Sequence, residues 1–392
     1  MKDQEVVKKL LRFGVPMAAG AVFALSASQA RAQEDLSISG GVTVVGQALS
    51  DVDFATNGAA DPESRGDGTG VTYSIDLAFE KEMESGTAFI YLIGAQGDAV
   101  YGGANADAEQ AAFMTTSTDG AWPTVGVAEA WYAHNMFDEM MTFKIGKIDP
   151  TANYDANEGA NDQTTQFLAD GLVNNRAILF PAYPYTPGMN LSFAFGDVVS
   201  LQFGVFEDTG TELPGEFEGK FVIGELGLHY ELFDNNGNLR TQLWNSSYGA
   251  EGITSRNGVA FNLDQGFGDE FMTLFMRLGF QFGAPVNTAE LEPEETLQTE
   301  ISTAFSIGSI FNFGDGHSFG FGYELTTTQA EEIEVDSVLV EPSARHWVET
   351  FIDFAVTEDF HFAADLQAVI NPDFYDGNDA LWIPGIRFQA SF

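Results

Sequence analysis

The stretch VTYSIDLAFE, residues 71–80, puts Val71, Tyr73, Ile75, Leu77 and Phe79 on one side of an extended chain. Thr72, Ser74, Asp76 and Glu80 fall on the other. A period of two marks a strand with one apolar and one polar face. The pattern returns in NLSFAFG (190–196), VVSLQFGVFE (198–207), SFGFGYEL (318–325), VETFIDFAV (348–356) and DFHFAADLQAVI (359–370). Composition agrees: the 392 residues hold 42 Gly and 35 Phe, with no cysteine. Glycine and aromatic richness without long apolar runs suits β-architecture, and disulfides hold nothing together here.

Runs of this kind place strands near 36–50, 70–80, 86–96, 124–135, 139–148, 187–196, 198–207, 220–233, 237–248, 257–265, 270–282, 299–311, 317–328, 346–356, 360–370 and 381–392, sixteen in all. Links after even-numbered strands are short: KEMESG, MFDE, DV, DNNG, FGD, FGDGH and TED. Links after odd-numbered strands are longer: 51–69, 97–123, 149–186, 208–219, 249–256, 283–298, 329–345 and 371–380. A soluble sandwich has no reason to keep such parity. The expected fold is all-β, a transmembrane antiparallel β-barrel of about 16 strands with short periplasmic turns, long external loops, lipid outside and water inside.

Both ends of the sequence fit export to an outer membrane. Lys8, Lys9 and Arg12 precede an apolar run from Val15 to Leu25, and Ala30-Arg31-Ala32 offers a small-x-small cleavage site. Residues 1–32 therefore read as a removed signal peptide, and 33–392 as a single barrel domain. In the final IPGIRFQASF (383–392), Ile386, Phe388, Ala390 and Phe392 alternate outward while Arg387, Gln389 and Ser391 alternate inward. A terminal aromatic on an alternating strand resembles the assembly signal of outer-membrane barrels of Gram-negative bacteria.

Several stretches resemble the carbohydrate-selective porin family, the OprB-like porins. They are FKIGKIDP (143–150) with QFLADGLVNN (166–175), NGVAFNLDQGF (257–267) with FMRLGFQF (275–282), and the closing segments ISTAFSIGSIFNFGDGHSFGFGYELT (301–326) and VETFIDFAVTEDFHFAADLQAVINPD (348–373). The resemblance implies a sixteen-stranded porin that passes sugars by diffusion through a channel narrowed by infolded loops. Short acidic loops and scarce Lys and Arg depart from the family's pattern and leave the substrate open.

Strand parity sorts the side chains without the family. Lys144, Arg240, Arg277 and Arg387 are expected to face the lumen, and Lys147 is placed with them. Charge on the lipid face would cost roughly 2–4 kcal/mol near the midplane. The same parity sends Glu129, Asp264, Glu349, Asp353 and Asp365 inward, together with Trp244 and Trp347. Opposed carboxylates and cations across a water channel order water and offer paired donors and acceptors to a polyhydroxylated solute, and the tryptophans would stack on sugar rings.

The 149–186 loop is the expected constriction. It mixes Asp149, Asn153, Asp155, Glu158, Asp162 and Gln166 with apolar Phe167 and Leu168, a pair that a solvated loop would not need. The proline-rich PAYPYTPG (181–188) stiffens its return to the wall.

A net charge of −42, which loss of residues 1–32 would make −45, repels phosphates and disfavours nucleic acid. The histidines His134, His229, His317, His346 and His361 show no metal-ligand spacing and no convincing partnership with a serine, and read as wall or loop residues. In DFYDGND (373–379), Asp373, Asp376 and Asp379 have spacings that would suit calcium, but the full loop signature is missing and an ordinary turn is the plainer reading. No phosphate-binding loop is present, so no cofactor is expected. The expected partners are small sugars or polar solutes and outer-membrane lipid. A homotrimer is the common arrangement for such barrels, although no stretch identifies an interface. The alternatives are a general or cation-preferring diffusion porin, which strong acidity favours, and an outer-membrane enzyme or adhesin.

Overall fold

The computed structural model describes residues 35–392 apart from 51–67, 98–99, 102–103, 105–124, 182–184, 209–218, 248–254, 270, 284–300, 315, 331–332 and 336–337. The expected signal peptide therefore lies outside the described residues, as does most of five of the long links.

Strands β1 (Leu36–Ala48), β2 (Thr69–Met83), β3 (Gly86–Gln96), β4 (Val125–Met136), β5 (Met141–Ile148), β6 (Thr186–Phe195), β7 (Val199–Glu207) and β8 (Lys220–Leu232) form half of a closed barrel. The other half is β9 (Asn235–Ser247), β10 (Arg256–Phe267), β11 (Met272–Phe282), β12 (Ile301–Phe313), β13 (His317–Thr328), β16 (Arg345–Thr357), β17 (Phe360–Ile370) and β18 (Leu381–Ser391). Two three-residue strands, β14 (Ile333–Val335) and β15 (Val338–Val340), make a separate hairpin in the link between β13 and β16. Every barrel pairing is antiparallel and between chain neighbours, except that β1 closes on β18. Closure leaves no strand edge unpaired, which a chain in hydrocarbon requires. At the seam Phe392 N donates to Gly40 O at 3.0 Å and Gly41 stands opposite Ser391.

The sixteen barrel strands match the sixteen periodic runs, and the parity of the links holds. Short turns lie on one rim. A two-residue turn joins β8 to β9 through Phe233 and Asp234, both at positive φ (55° and 58°), the geometry whose twist matches the flanking strands. Among the described residues no helix is long and apolar enough to cross a membrane.

Alternation sets the two faces. Outward side chains remain open around the barrel, as at Ile145 (47% exposed), Phe203 (50%), Leu243 (64%) and Trp382 (52%). The inward face carries the charged side chains, among them Lys144, Glu225, Arg240, Asp264, Arg277 and Arg387, so the charge-rich face encloses the lumen. Lys147 departs from expectation here: it shares the face of Phe143 and Ile145, and its ammonium reaches the Val127 carbonyl at 2.7 Å. Strict alternation from inward Lys144 and Gly146 forces that placement and removes Lys147 from the lumenal set.

Candidate functional site: a lumen filled by an anchored loop

The link from β5 to β6 turns into the lumen at once. Asp149 caps the short helix α1 (Pro150–Asn153), its Oδ1 accepting from Thr151 N at 2.8 Å and Thr151 Oγ1 at 2.7 Å, with proline supplying the first helical φ. Burial pushes the Asp149 carboxyl up to about 6; the Thr151 bonds oppose the shift and the Glu129 charge adds to it. Asn153 then accepts from Lys144 Nζ at 2.8 Å, and Tyr154 donates to Asn190 at 2.5 Å.

Asp155, at φ 63°, swings the loop across the barrel. Its Oδ2 pairs with Arg277 Nε at 2.9 Å and its Oδ1 accepts from Asn262 at 2.7 Å. Arg277 also donates to the carbonyls of Leu172 and Ala160, both at 2.7 Å. Farther along, Glu349 accepts from the backbone N–H of Leu168 and Ala169 at 2.6 and 2.8 Å, and Arg387 donates to the carbonyls of Gln163 and Gln166 at 2.8 and 2.6 Å. Phe167 sits edge-on to both Phe275 and Phe351, with centroids 5.4 and 5.1 Å apart. The second short helix, α2 (Asp170–Val173), packs beside β12 and β13, and its Gly171 leaves no room for a Cβ beside the Glu324 carboxylate. The apolar pair Phe167–Leu168 thus has the lumenal packing that its presence in a polar loop required.

This anchoring divides the expected wall residues into two groups. Arg277 (1% exposed), Glu349 (0%), Arg387 (2%), Trp244 (4%) and Trp347 (1%) are sealed beneath loops. The two tryptophans therefore cannot stack on a passing solute, contrary to expectation: Trp244 fills the space over Gly258, and Trp347 donates to Gln367 at 3.2 Å under Tyr101. Asp264 pairs with Arg240 at 2.6 Å; Asp353 bonds His361 at 2.6 Å with Arg387 4.0 Å away; Asp365 accepts from Gln367 at 3.1 Å. All belong to a continuous polar lining on the β9–β18 side.

The group left toward open water lies on β2–β5 and on the loop edge. Glu129 accepts from Trp131 Nε1 at 3.1 Å and from Asp149 N at 3.0 Å, while Lys144 Nζ stands 4.2 Å above the Trp131 ring. Trp131 stacks on Phe89 at 4.9 Å, Phe89 lies 6.4 Å from Tyr91, and Tyr91 lies 6.4 Å from Tyr185. The loop presents exposed Glu158 and half-buried Asp162 and Gln166; Gln166 Nε2 donates to Glu158 O, while Asp162 accepts from Thr164 and Thr165.

Sequence reasoning missed three elements here. Asp76, on the polar face of the opening stretch, lies within electrostatic reach of Asp162; its parity was the signal that would have found it. The aromatic strip is formed by register between β3 and β4. The third element is a second infolded segment, in which Ala104 O accepts from Gln47 at 2.9 Å and Gln367 at 3.0 Å while Tyr101 donates to Asp373 at 3.2 Å. That bond also occupies Asp373. Among the described residues no group of three metal-ligating side chains gathers, so Asp373, Asp376 and Asp379 do not form the calcium set that their spacing offered.

No known family profile matches the chain. A 59-residue segment is 44% identical to an uncharacterized protein of Aquifex aeolicus, covering 15% of this chain and 18% of that one. Solved structures match far more of it. OprB of Pseudomonas putida superposes with a TM-score of 0.67 over 91% of this chain and 94% of its own, at 13% identity. The outer membrane channel DcaP of Acinetobacter baumannii gives 0.54 over 91% and 97%, at 11% identity. What these likenesses establish is the fold, a closed sixteen-stranded antiparallel barrel of the porin type.

Proposed function

We propose that this chain is a passive outer-membrane porin that admits small neutral sugars and similar polar solutes down their gradients. The observation that carries the reading is the β2–β5 wall. There a strip of half-buried Phe89, Trp131 and Tyr91, backed by buried Tyr185, runs beside the Glu129 carboxylate and the Lys144 ammonium. A sugar has apolar C–H faces and a rim of hydroxyls, so aromatic surface next to paired charges complements it on both counts. The signal peptide expected in residues 1–32 and the outward placement of the apolar face agree with an outer-membrane location, and the likeness to channel structures supports diffusion.

Liposome swelling with a graded series of sugars and amino acids tests this. Faster entry of hexoses than of amino acids of similar size is expected, and equal rates set by size alone defeat sugar preference. A second reading, cation-preferring general diffusion, is favoured by the facing carboxylates of Asp76 and Asp162 and by the acidity of the chain. Reversal potentials that show strong cation selectivity, with no block by sugar, would select it.

A further inference from the structure

Near the short-turn rim, on the lumenal face of four adjacent strands, the polar lining contains a directed chain of hydrogen bonds. Ser200 Oγ on β7 lies 2.9 Å from His229 Nε2 on β8. His229 Nδ1 lies 2.7 Å from Asn238 Oδ1 on β9, and Asn238 Nδ2 lies 2.5 Å from Asp264 Oδ1 on β10. Asp264 Oδ2 is held by Arg240 at 2.6 Å. This overturns the reading of His229 as a wall residue with no serine partner.

For a neutral His229 these bonds select one tautomer. Arg240 holds Asp264 as a carboxylate, which only accepts. Asn238 must then turn its amide N–H to Asp264 and its oxygen to His229. Facing an acceptor, His229 Nδ1 carries the proton, so Nε2 of the neutral ring presents its lone pair to the Ser200 hydroxyl. Gly227 stands between Ser200 and Arg240 in register, and a Cβ there would overlap Ser200 Oγ and crowd His229 Nε2. Ser200 and His229 are both half-buried, so the pair is open to lumenal water.

We propose that Ser200 is a nucleophile with His229 as its general base, and that this lumenal site hydrolyses small O-acyl esters. Asn238 and Asp264 act through His229 as positioning residues. Ser200 Oγ attacks the acyl carbonyl while His229 Nε2 takes its proton; His229 returns that proton to the departing alkoxide as the C–O bond breaks, leaving Ser200 acylated. Water then attacks the acyl group with His229 again as base, releasing the carboxylic acid and restoring the hydroxyl. Arg240, two strands from Ser200 across Gly227, acts only by holding Asp264 at the far end of the chain.

The test uses the full-length barrel purified in detergent and a fluorophosphonate probe, which loses fluoride on forming a serine–phosphorus bond. Mass spectrometry is expected to find the adduct on Ser200, with hydrolysis of 4-nitrophenyl acetate above the detergent blank. Ser200→Ala should abolish both. His229→Gln should slow labelling by about 100-fold or more, the usual share of a general base. Asn238→Ala should slow labelling while Asn238→Asp, which keeps an oxygen toward Nδ1, recovers part of the rate. Heat-shifted gel mobility reports that each variant keeps its barrel. An unlabelled Ser200 in the folded wild type, or a folded His229→Gln variant labelled as fast as wild type, overturns the proposal. Labelling does not require conduction, so this outcome is independent of the swelling experiment.

Discussion

Arg277 and Asp155, 122 positions apart in the chain, form an ion pair at 2.9 Å that is almost fully buried, with side-chain exposures of 1% and 2%. The remaining guanidinium N–H groups bind carbonyls on both limbs of the infolded loop, at Ala160 and Leu172. One strand residue therefore ties both limbs of the loop to the wall. Breaking a buried pair by removing one partner costs about 3–5 kcal/mol. Here the cost falls on loop docking, since the strand ladder does not depend on either side chain. Arg277→Ala is expected to leave the heat-shifted gel mobility intact and to raise single-channel conductance by about half or more. Unchanged conductance in a folded variant would show that the loop holds its place without the pair.

The docked start of this loop should respond to pH through Asp149. Burial raises its carboxyl to about 6 from the ordinary 3.8; the Thr151 bonds oppose the shift, and Glu129 on β4 adds to it, with Lys144 on β5 the nearby cation. A group whose pKa is raised on docking favours the docked loop when protonated. The contribution is complete below about pH 4 and fades as pH rises through 6, with an upper bound of about 3 kcal/mol that partial exposure reduces. Loop proteolysis should thus accelerate from pH 4.5 to 7.5. Asp149→Asn keeps an oxygen for Thr151 and should flatten that profile. An equally steep profile in the variant would move the effect to another group.

The barrel was legible because lipid and water impose period two on every spanning strand, and because short and long links segregate to opposite rims. The infolding of 149–186 was legible too, from apolar Phe167 and Leu168 inside a polar loop. What could not be read depends on register. The Ser200–His229 contact joins residues 29 apart that meet only through the β7–β8 pairing, and the Phe89–Trp131 stack follows from β3 against β4. Parity sends Trp244 and Trp347 inward, but parity reports a face and not what covers it. Their burial comes from loop segments without periodicity, such as Tyr101.

Gly146 holds the aromatic wall in place. It adopts φ 147°, a region that side chains with a Cβ rarely enter, and an added Cβ would overlap the Ala130 carbonyl and Trp131 on the paired strand. Gly146→Ala should cost about 1–3 kcal/mol from backbone strain alone, and displace the Trp131 ring that lies under Lys144. The temperature at which the unboiled gel form is lost should fall, and tryptophan fluorescence should shift. A variant with unaltered melting and spectrum would mean that the strand relaxes without strain.

Lys144 is the cation of the open wall, since Arg277 and Arg387 are sealed beneath loops and Arg240 is held by Asp264. Its ammonium sits between Glu129, the Trp131 face and Asn153, with Asp76 and Asp162 supplying carboxylates to the same lumen. Reversing the charge at Lys144 therefore leaves the open passage lined by acids. Fields in a narrow, low-dielectric channel act on every ion that passes, so Lys144→Glu should shift the reversal potential in a potassium chloride gradient toward potassium, with permeability ratio rising about two-fold or more. Asp162→Asn should shift it the other way, because it removes a carboxylate from the loop edge beside Asp76. Neutral sugar entry should change less than ion preference in both variants. If Lys144→Glu leaves the permeability ratio unaltered, the ions do not pass along the β2–β5 wall, and the path must lie elsewhere in the barrel.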